Sequence, residues 1–272
     1  MTSVESLVAG PGRPGVAMTT LDDGTEVVVK SGEPSAIAAE AAGLRWLAEP
    51  GVVGVPEVLG TAEGRMVSTR VPDGRADAGT AERFGRELAA LHAAGAPAFG
   101  SPPPGGPVHA WIGGARMVNE TGDDWPSWYA EHRVLPYARQ ARDRGTFSAD
   151  DVALVERACA SFDEVAGPPE PPARLHGDLW TGNVLWAEER GWVIDPAAHG
   201  GHRETDLAML ALFGAPHLET VLAAYDEAAP LADGWRDRVG LHQLFPLLVH
   251  TALFGGGYGA QALRVCEHFR PS

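Results

Sequence analysis

The sequence predicts an α+β chain of two lobes: a small antiparallel β-sheet with one helix, then a larger, mainly α-helical lobe that carries a β-hairpin. Three patterns predict it. The first seventy residues alternate β-rich runs with Gly and Pro, the chain beyond Pro72 repeats apolar residues at helical spacing, and from Ala173 a strand–turn–strand pattern interrupts the helices. At 272 residues the chain is long enough for one large domain or two lobes. The change of pattern places the boundary after residue 71, giving lobes 1–71 and 72–272.

Residues 16–21 and 26–30 are β-rich runs flanking Asp22-Asp23-Gly24-Thr25, an acidic, Gly-containing hairpin turn. The segment before them, residues 9–15, is a Gly/Pro loop. Its Gly10, Gly12 and Gly15 suit a phosphate cover, although the intervening prolines remove N–H donors. Ser35 stands where a helix through about Ala48 would be capped, with Ile37, Ala41, Leu44 and Leu47 on one face. Residues 52–59 and 64–71 read as two further strands, with Pro56 as punctuation. Thr80 then caps a helix to about Ala94, whose stripe is Phe84, Leu88 and Leu91. Residues 125–144 and 148–166 are two more helices, the second capped by Ser148 and acidic in its first turn. After the strand pair the chain is helical again to its end, and Pro246 is expected to kink the apolar helix around residues 241–253.

Composition narrows the function classes. The chain carries 21 basic and 36 acidic residues, a formal net charge of -15. That balance argues against nucleic-acid or anionic-membrane partners, both of which need a basic face, and suits a neutral or cationic small molecule. No apolar run reaches membrane-spanning length and no signal-peptide pattern opens the chain, so a soluble cytoplasmic protein is expected, with a monomer as the default. Two cysteines, Cys159 and Cys266, make neither a disulfide framework nor a zinc site. Of the 21 basic residues only Lys30 is a lysine, and asparagine occurs only at Asn119 and Asn183. In a chain that uses arginine for nearly every cation, these three residues draw attention to themselves.

The informative stretch is Leu175-His176-Gly177-Asp178-Leu179-Trp180-Thr181-Gly182-Asn183, followed by Trp192-Val193-Ile194-Asp195 at the end of the hairpin. Asp178 and Asn183 are five positions apart, with a histidine two before and a second aspartate on the next strand. This is the spacing of a phosphotransferase catalytic loop followed by a metal-binding aspartate. Phosphoryl transfer needs a carboxylate to orient and deprotonate the attacking hydroxyl, and oxygen ligands for a Mg²⁺ that bridges phosphates. Asp178 suits the first role, Asn183 and Asp195 the second. Lys30, at the end of a strand, suits a phosphate clamp, and Glu40 on the following helix could hold its ammonium.

The strings His176-Gly177-Asp178-Leu179-Trp180-x-Gly182-Asn183 and Gly201-His202-Arg203-Glu204-x-Asp206-Leu207-Ala208-Met209 resemble the fructosamine kinase (ketosamine-3-kinase) family, as do Asn119 and Trp125-x-x-Trp128-Tyr129. The resemblance implies the protein-kinase-like, aminoglycoside-phosphotransferase-like fold. It also implies ATP and Mg²⁺ as cofactors, and phosphorylation of the sugar 3-hydroxyl of ketosamines, hence deglycation of an amine or protein. On that basis Asp178 is the base, Asn183 and Asp195 the Mg²⁺ ligands and Lys30 with Glu40 the phosphate clamp. Ser68, Thr69 and Val71 lie in the hinge that meets the adenine. Trp180, His202, Arg203, Glu204 and Asn119 are candidates for the substrate side. His176 and Asp206 are candidates for support of the catalytic loop, Asp206 equally for a helix N-cap. His199 and His202 are spaced as a metal pair but lack a third ligand in the sequence nearby. The chain departs from the family in a short, Pro-rich N-terminal loop, in lacking its N-lobe cysteine and in a hinge without an acidic residue. An aminoglycoside, choline or homoserine kinase-like enzyme shares the core motif. A nucleotide-binding pseudoenzyme should lack one of Lys30, Asp178, Asn183 and Asp195.

Overall fold

The computed structural model describes residues 2–9 and 14–269, so Gly10 and Gly12 of the expected phosphate cover lie outside the described residues. The sheet forms early in the chain. Strands β1 (Gly15–Thr20) and β2 (Glu26–Ser31) join across the acidic turn, where Asp23 Oδ1 accepts the Thr25 N–H at 2.9 Å. Strands β3 (Val58–Ala62) and β4 (Arg65–Thr69) complete a four-stranded antiparallel sheet of order β1-β2-β4-β3. The strand expected over residues 52–59 starts only at Val58. Pro56 removes a ladder donor from this stretch, and Gly54 instead forms an isolated parallel bridge with Trp192. A short helix not read from the sequence, α1 (Val4–Ala9), lays Val4, Leu7 and Val8 against Val27 and Val67 of the sheet.

Helix α2 (Pro34–Ala48) buries Ile37, Ala41, Leu44 and Leu47 as expected, but its cap is Glu33 rather than Ser35. Pro34 is pre-shaped for the first turn and moves the start forward, so the Glu33 carboxylate accepts the Ala36 N–H at 2.8 Å and the Ser35 hydroxyl. The same one-turn correction applies to α3 (Ala78–Ala93). Asp77 is its cap, and Thr80 is the reciprocal third residue of a capping box.

The helical lobe begins with α3 and continues through a hairpin the sequence did not reveal, β5 (His109–Ile112) and β6 (Ala115–Val118). The helix expected over residues 125–144 is one rod with a widened centre: α4 (Trp125–Tyr129), a π-helical turn at Ala130–Val134, and α5 (Leu135–Asp143). Pro136 lacks the N–H that would meet the His132 carbonyl, and Arg133 Nη1 donates to that oxygen at 3.0 Å instead. Ser148 caps α6 (Ala149–Cys159) as expected, but the chain breaks before α7 (Phe162–Val165). Strands β7 (Ala173–Leu175) and β10 (His199–Gly201) pair around the β8 (Val184–Ala187) and β9 (Arg190–Val193) hairpin. Helices α8 (Glu204–Phe213), α9 (Leu218–Ala228), α10 (Trp235–Phe254) and α11 (Gly257–His268) finish the lobe.

Pro246 lies inside α10, and the helix runs through it. The break in its ladder is filled from α4. The Tyr129 hydroxyl receives the Phe245 N–H at 3.1 Å and lies 3.0 and 3.1 Å from the Leu241 and His242 carbonyls, which the proline leaves without their usual partners. Burial raises the pKa of this phenol, keeping the hydroxyl protonated and able to donate.

Packing crosses the boundary between the lobes. Trp46, Leu47 and Val53 share one core with Phe84, Leu88, Leu179, Val193 and Leu207. Arg174 donates to the Trp46 carbonyl at 2.7 Å, and Arg190 to that of Val52 at 2.8 Å. Helix α2 is thereby tied to the helical body as well as to its own sheet. Among the described residues no helix is long and apolar enough to cross a membrane.

Candidate active site

The loop after β7 is held from below by one buried carboxylate. Asp206, in the first turn of α8, accepts the backbone N–H of His176 at 2.8 Å and of Gly177 at 2.9 Å. It also accepts His92 Nε2 at 3.2 Å, while the Tyr225 hydroxyl meets His92 Nδ1 at 2.8 Å. Burial alone would raise the Asp206 carboxyl; the donor from His92, its neighbouring imidazoles and the loop N–H groups bring it below the ordinary range. Gly177 has φ 81°, and a Cβ there would collide with the Ala197 carbonyl. Only glycine fits between the histidine and the aspartate.

His176 ties the loop to the next hairpin. Its Nδ1 accepts the Asp178 N–H at 3.2 Å, so the ring proton resides on Nε2, which donates to the Ile194 carbonyl at 2.9 Å. Burial lowers its pKa and keeps the ring neutral. Asp178 follows. Burial pushes its carboxyl up to about 7, against the pull of the Asn183 amide and with help from the charges of Asp206 and Asp195. Asn183 Nδ2 donates to the Asp178 carbonyl at 2.8 Å and to its carboxylate at 3.2 Å, which leaves Asn183 Oδ1 for another partner. Trp180 is 39% exposed and folds its ring over Gly182, where any side chain would strike the indole.

Lys30 arrives from β2. Its ammonium lies 2.8 Å from Glu40 of α2 and 2.6 Å from Asp195, the residue two beyond β9. Burial alone would lower the lysine pKa, but the two carboxylates outweigh it and raise it. Burial raises Glu40, with Lys30 opposing. Asp195 holds φ 54°, a left-handed conformation uncommon for a residue with a side chain. Strain of this kind is concentrated at functional sites.

Two cavities meet at this ion triad. A polar one of about 310 Å³ is lined by Trp111, Asp178, Trp180, Asn183, Lys30, Glu40 and Asp195. An apolar one of about 300 Å³ is lined by Val16, Met18, Leu44, Met66, Leu185 and Ile194, with Ser68, Thr69 and Val71 at its edge. Lys30, Glu40 and Asp195 line both. The first places the Asp178 carboxyl among its lining and the second does not. Trp111, on the unread β5–β6 hairpin, is the main wall the sequence did not disclose.

Four of the residues assigned to the substrate side are not among the lining of either cavity. Asn119 is buried and accepts Arg133 Nη2 at 2.8 Å. Arg203 forks onto Glu170 at 2.6 and 2.8 Å and donates to the Ala229 and Pro230 carbonyls. Glu204 takes both arms of Arg238, at 2.6 and 3.0 Å, and lies 3.3 Å from His242. His202 accepts the Glu204 N–H and lines a separate cavity with Trp125 and Glu170. His202, Glu204 and His242 could meet a metal by distance, but a guanidinium already occupies both Glu204 oxygens. His199 uses Nδ1 on the Ala197 carbonyl and is not part of that group.

The fructosamine kinase family model matches residues 11–270. A solved structure from Thermobifida fusca, named as a fructosamine-3-kinase, is 46% identical with a TM-score of 0.87, covering 93% of this chain and 92% of its own. A probable ketoamine kinase of Synechocystis is 34% identical over 235 residues, 84% of this chain and 77% of that one. The chloroplastic protein-ribulosamine 3-kinase of Arabidopsis thaliana is 31% identical over 246 residues, 87% and 72%. Macrolide and aminoglycoside phosphotransferases of known structure share the two-lobed fold alone. The chain belongs to the fructosamine kinase family and is an ATP-dependent phosphotransferase.

Proposed function

We propose that this protein transfers the γ-phosphoryl group of ATP to the sugar 3-hydroxyl of ketosamines. The observation that carries the reading is the seam where an acceptor-sized polar cavity and an apolar cavity share Lys30, Glu40 and Asp195, with Asp178 on the acceptor side only. The relatives named as fructosamine-3-kinase and ribulosamine 3-kinase support the choice of hydroxyl.

In this reading the adenine occupies the apolar cavity beside Ser68, Thr69 and Val71, and Lys30, steadied by Glu40, meets the phosphates. Asp178 orients the acceptor hydroxyl and takes its proton as the oxygen bonds to the γ-phosphorus and the bond to the ADP oxygen breaks. Asn183 Oδ1 and the Asp195 carboxylate are hard oxygen donors on one wall, which fits a Mg²⁺ that keeps water and phosphate as its other ligands. Such an ion neutralises charge on the phosphates. Trp180 forms an apolar wall for the acceptor. The 3-phosphate formed is unstable and releases the amine, so the outcome is deglycation.

A panel coupled to ADP release tests the assignment. Fructosyl-, ribulosyl- or erythrulosyl-amines should be consumed, and aminoglycosides and choline should not. Turnover confined to the latter pair would move the chain to another branch of the fold, and binding of Mg·ATP with no turnover at all would make it a pseudoenzyme. The lysine role has its own check. Lys30→Arg should lower kcat about a hundredfold or more, because a wide planar fork cannot replace a compact ammonium set between two carboxylates. A variant that keeps near-native kcat would reject the clamp.

A further inference from the structure

The β5–β6 hairpin reaches from the helical lobe to the first turn of α2, and both contribute to the wall of the polar cavity. Ala36, Ala39 and Glu40 line it from the helix, and Ala110, Trp111 and Gly113 from the hairpin. Ala39 also packs on the core that holds Ala110 and Ile112. The two pieces are joined at the indole. Trp111 Nε1 donates to Ser35 Oγ at 2.9 Å, while the Ser35 hydroxyl gives its own proton to the Glu33 carboxylate that caps the helix. The hydroxyl oxygen is thereby left as an acceptor, which suits the indole N–H. Arg116, the cross-strand partner of Trp111, stands over the ring at 5.3 Å from its centroid. The indole is held at its edge by one lobe and covered by a side chain of its own hairpin. Neither Ser35 nor Arg116 is among the lining of the cavity.

We propose that Trp111 binds the acceptor sugar and that Ser35 positions it for that task. The inference rests on the ketosamine reading of the cleft. An indole supplies a broad apolar surface and one N–H. With the N–H committed to Ser35, the apolar surface is what remains for the carbon–hydrogen side of a sugar. A loose indole would have to be ordered when the acceptor arrives, at a cost in affinity, whereas one already tied at its edge avoids that cost. Transfer is sensitive to small misplacements of the reacting groups, and the acceptor hydroxyl has to meet Asp178 while the phosphates meet Lys30. Trp111 is tied to the helix that carries Glu40, the partner of Lys30, so the acceptor wall and the phosphate clamp share one support.

The test measures KM for the fructosamine of methylamine and KM for ATP, together with Tm, in the wild type, Ser35→Ala, Ser35→Thr, Trp111→Phe and the combination of Ser35→Ala with Trp111→Phe. Ser35→Ala should raise the fructosamine KM about fivefold, the scale of one lost hydrogen bond. Trp111→Phe, which loses the N–H and part of the ring, should raise it at least as much. Adding Ser35→Ala to Trp111→Phe should change nothing further, because both remove the same bond. Ser35→Thr keeps the hydroxyl and should keep the native KM. In Ser35→Ala the KM for ATP should stay within about twofold of wild type and Tm within about 2 °C. An unchanged fructosamine KM in Ser35→Ala, equal rises in both KM values, or a further fivefold loss on combination would overturn the positioning role. So would loss of the fold in Ser35→Ala, which would make the bond a structural one. A wild type that turns over no ketosamine would overturn the ketosamine reading itself, and the acceptor role with it.

Discussion

Asp178→Ala lowers kcat by about a thousandfold while nucleotide affinity stays within a few-fold of wild type, on the scale of general-base removal. The expectation follows from where the carboxyl lies. Asp178 lines the polar cavity and is not among the residues of the apolar one, whereas Lys30, Glu40 and Asp195 line both. Truncation removes the group proposed to receive the proton, yet Asn183 keeps its hydrogen bond to the Asp178 backbone carbonyl. Burial sets the carboxyl at about 7, close to the pH at which a base both stays free and accepts a proton readily. Single-turnover ADP release against a fluorescence titration of Mg·ATP separates the two quantities. If affinity collapsed together with kcat, Asp178 would be a phosphate-side residue and the base would have to be sought elsewhere.

Asp206→Ala should have the largest effect on stability, about 3–5 kcal/mol for a buried carboxylate removed from its partners. Three N–H donors, those of His176, Gly177 and His92, lose their acceptor in a region closed to water. In a chain of this size that is a fall in Tm of about 10 °C or more. The pH dependence has a definite sign. Because the folded state holds the Asp206 carboxyl below its ordinary value, its contribution is complete above about 4 and disappears as the pH falls through the depressed value. The variant should therefore lose part of the acid limb of the wild-type stability curve. A melt that matches wild type at neutral pH would show that the loop is held by other contacts. Transfer should fall too, since the loop N–H groups flank Asp178.

Lys30, Glu40, Asp178, Asn183 and Asp195 could be singled out in the sequence because their signal is local or compositional: a fixed spacing on one hairpin, the sole lysine, a helix ten residues on. The partners that hold them could not. His92 reaches Asp206 across 114 positions, and no short-range pattern marks such a pair. Asn119, Arg203 and Glu204 show the complementary error. A polar residue beside a motif reads as substrate-facing, but these are consumed by Arg133, Glu170 and Arg238, charges that only the tertiary fold brings within reach. Asn119 has a structural role instead, its amide oxygen accepting from the buried Arg133 guanidinium. Ser35 and Thr80 lie within one turn of the true caps, Glu33 and Asp77, because Pro34 shifts one start and the other box works in both directions. The β5–β6 hairpin was hidden because its strands are four residues each and follow a stretch dense in glycine and proline.

The Tyr129 hydroxyl has a mechanical consequence. A group carried on one rod completes the ladder of another, so neither can slide or rotate by a turn without stranding polar atoms in oil. The helical body is thereby cross-braced through its centre, and α2 is joined to it through Arg174 while packing on its own sheet, so the wall that carries Glu40 is held from both sides.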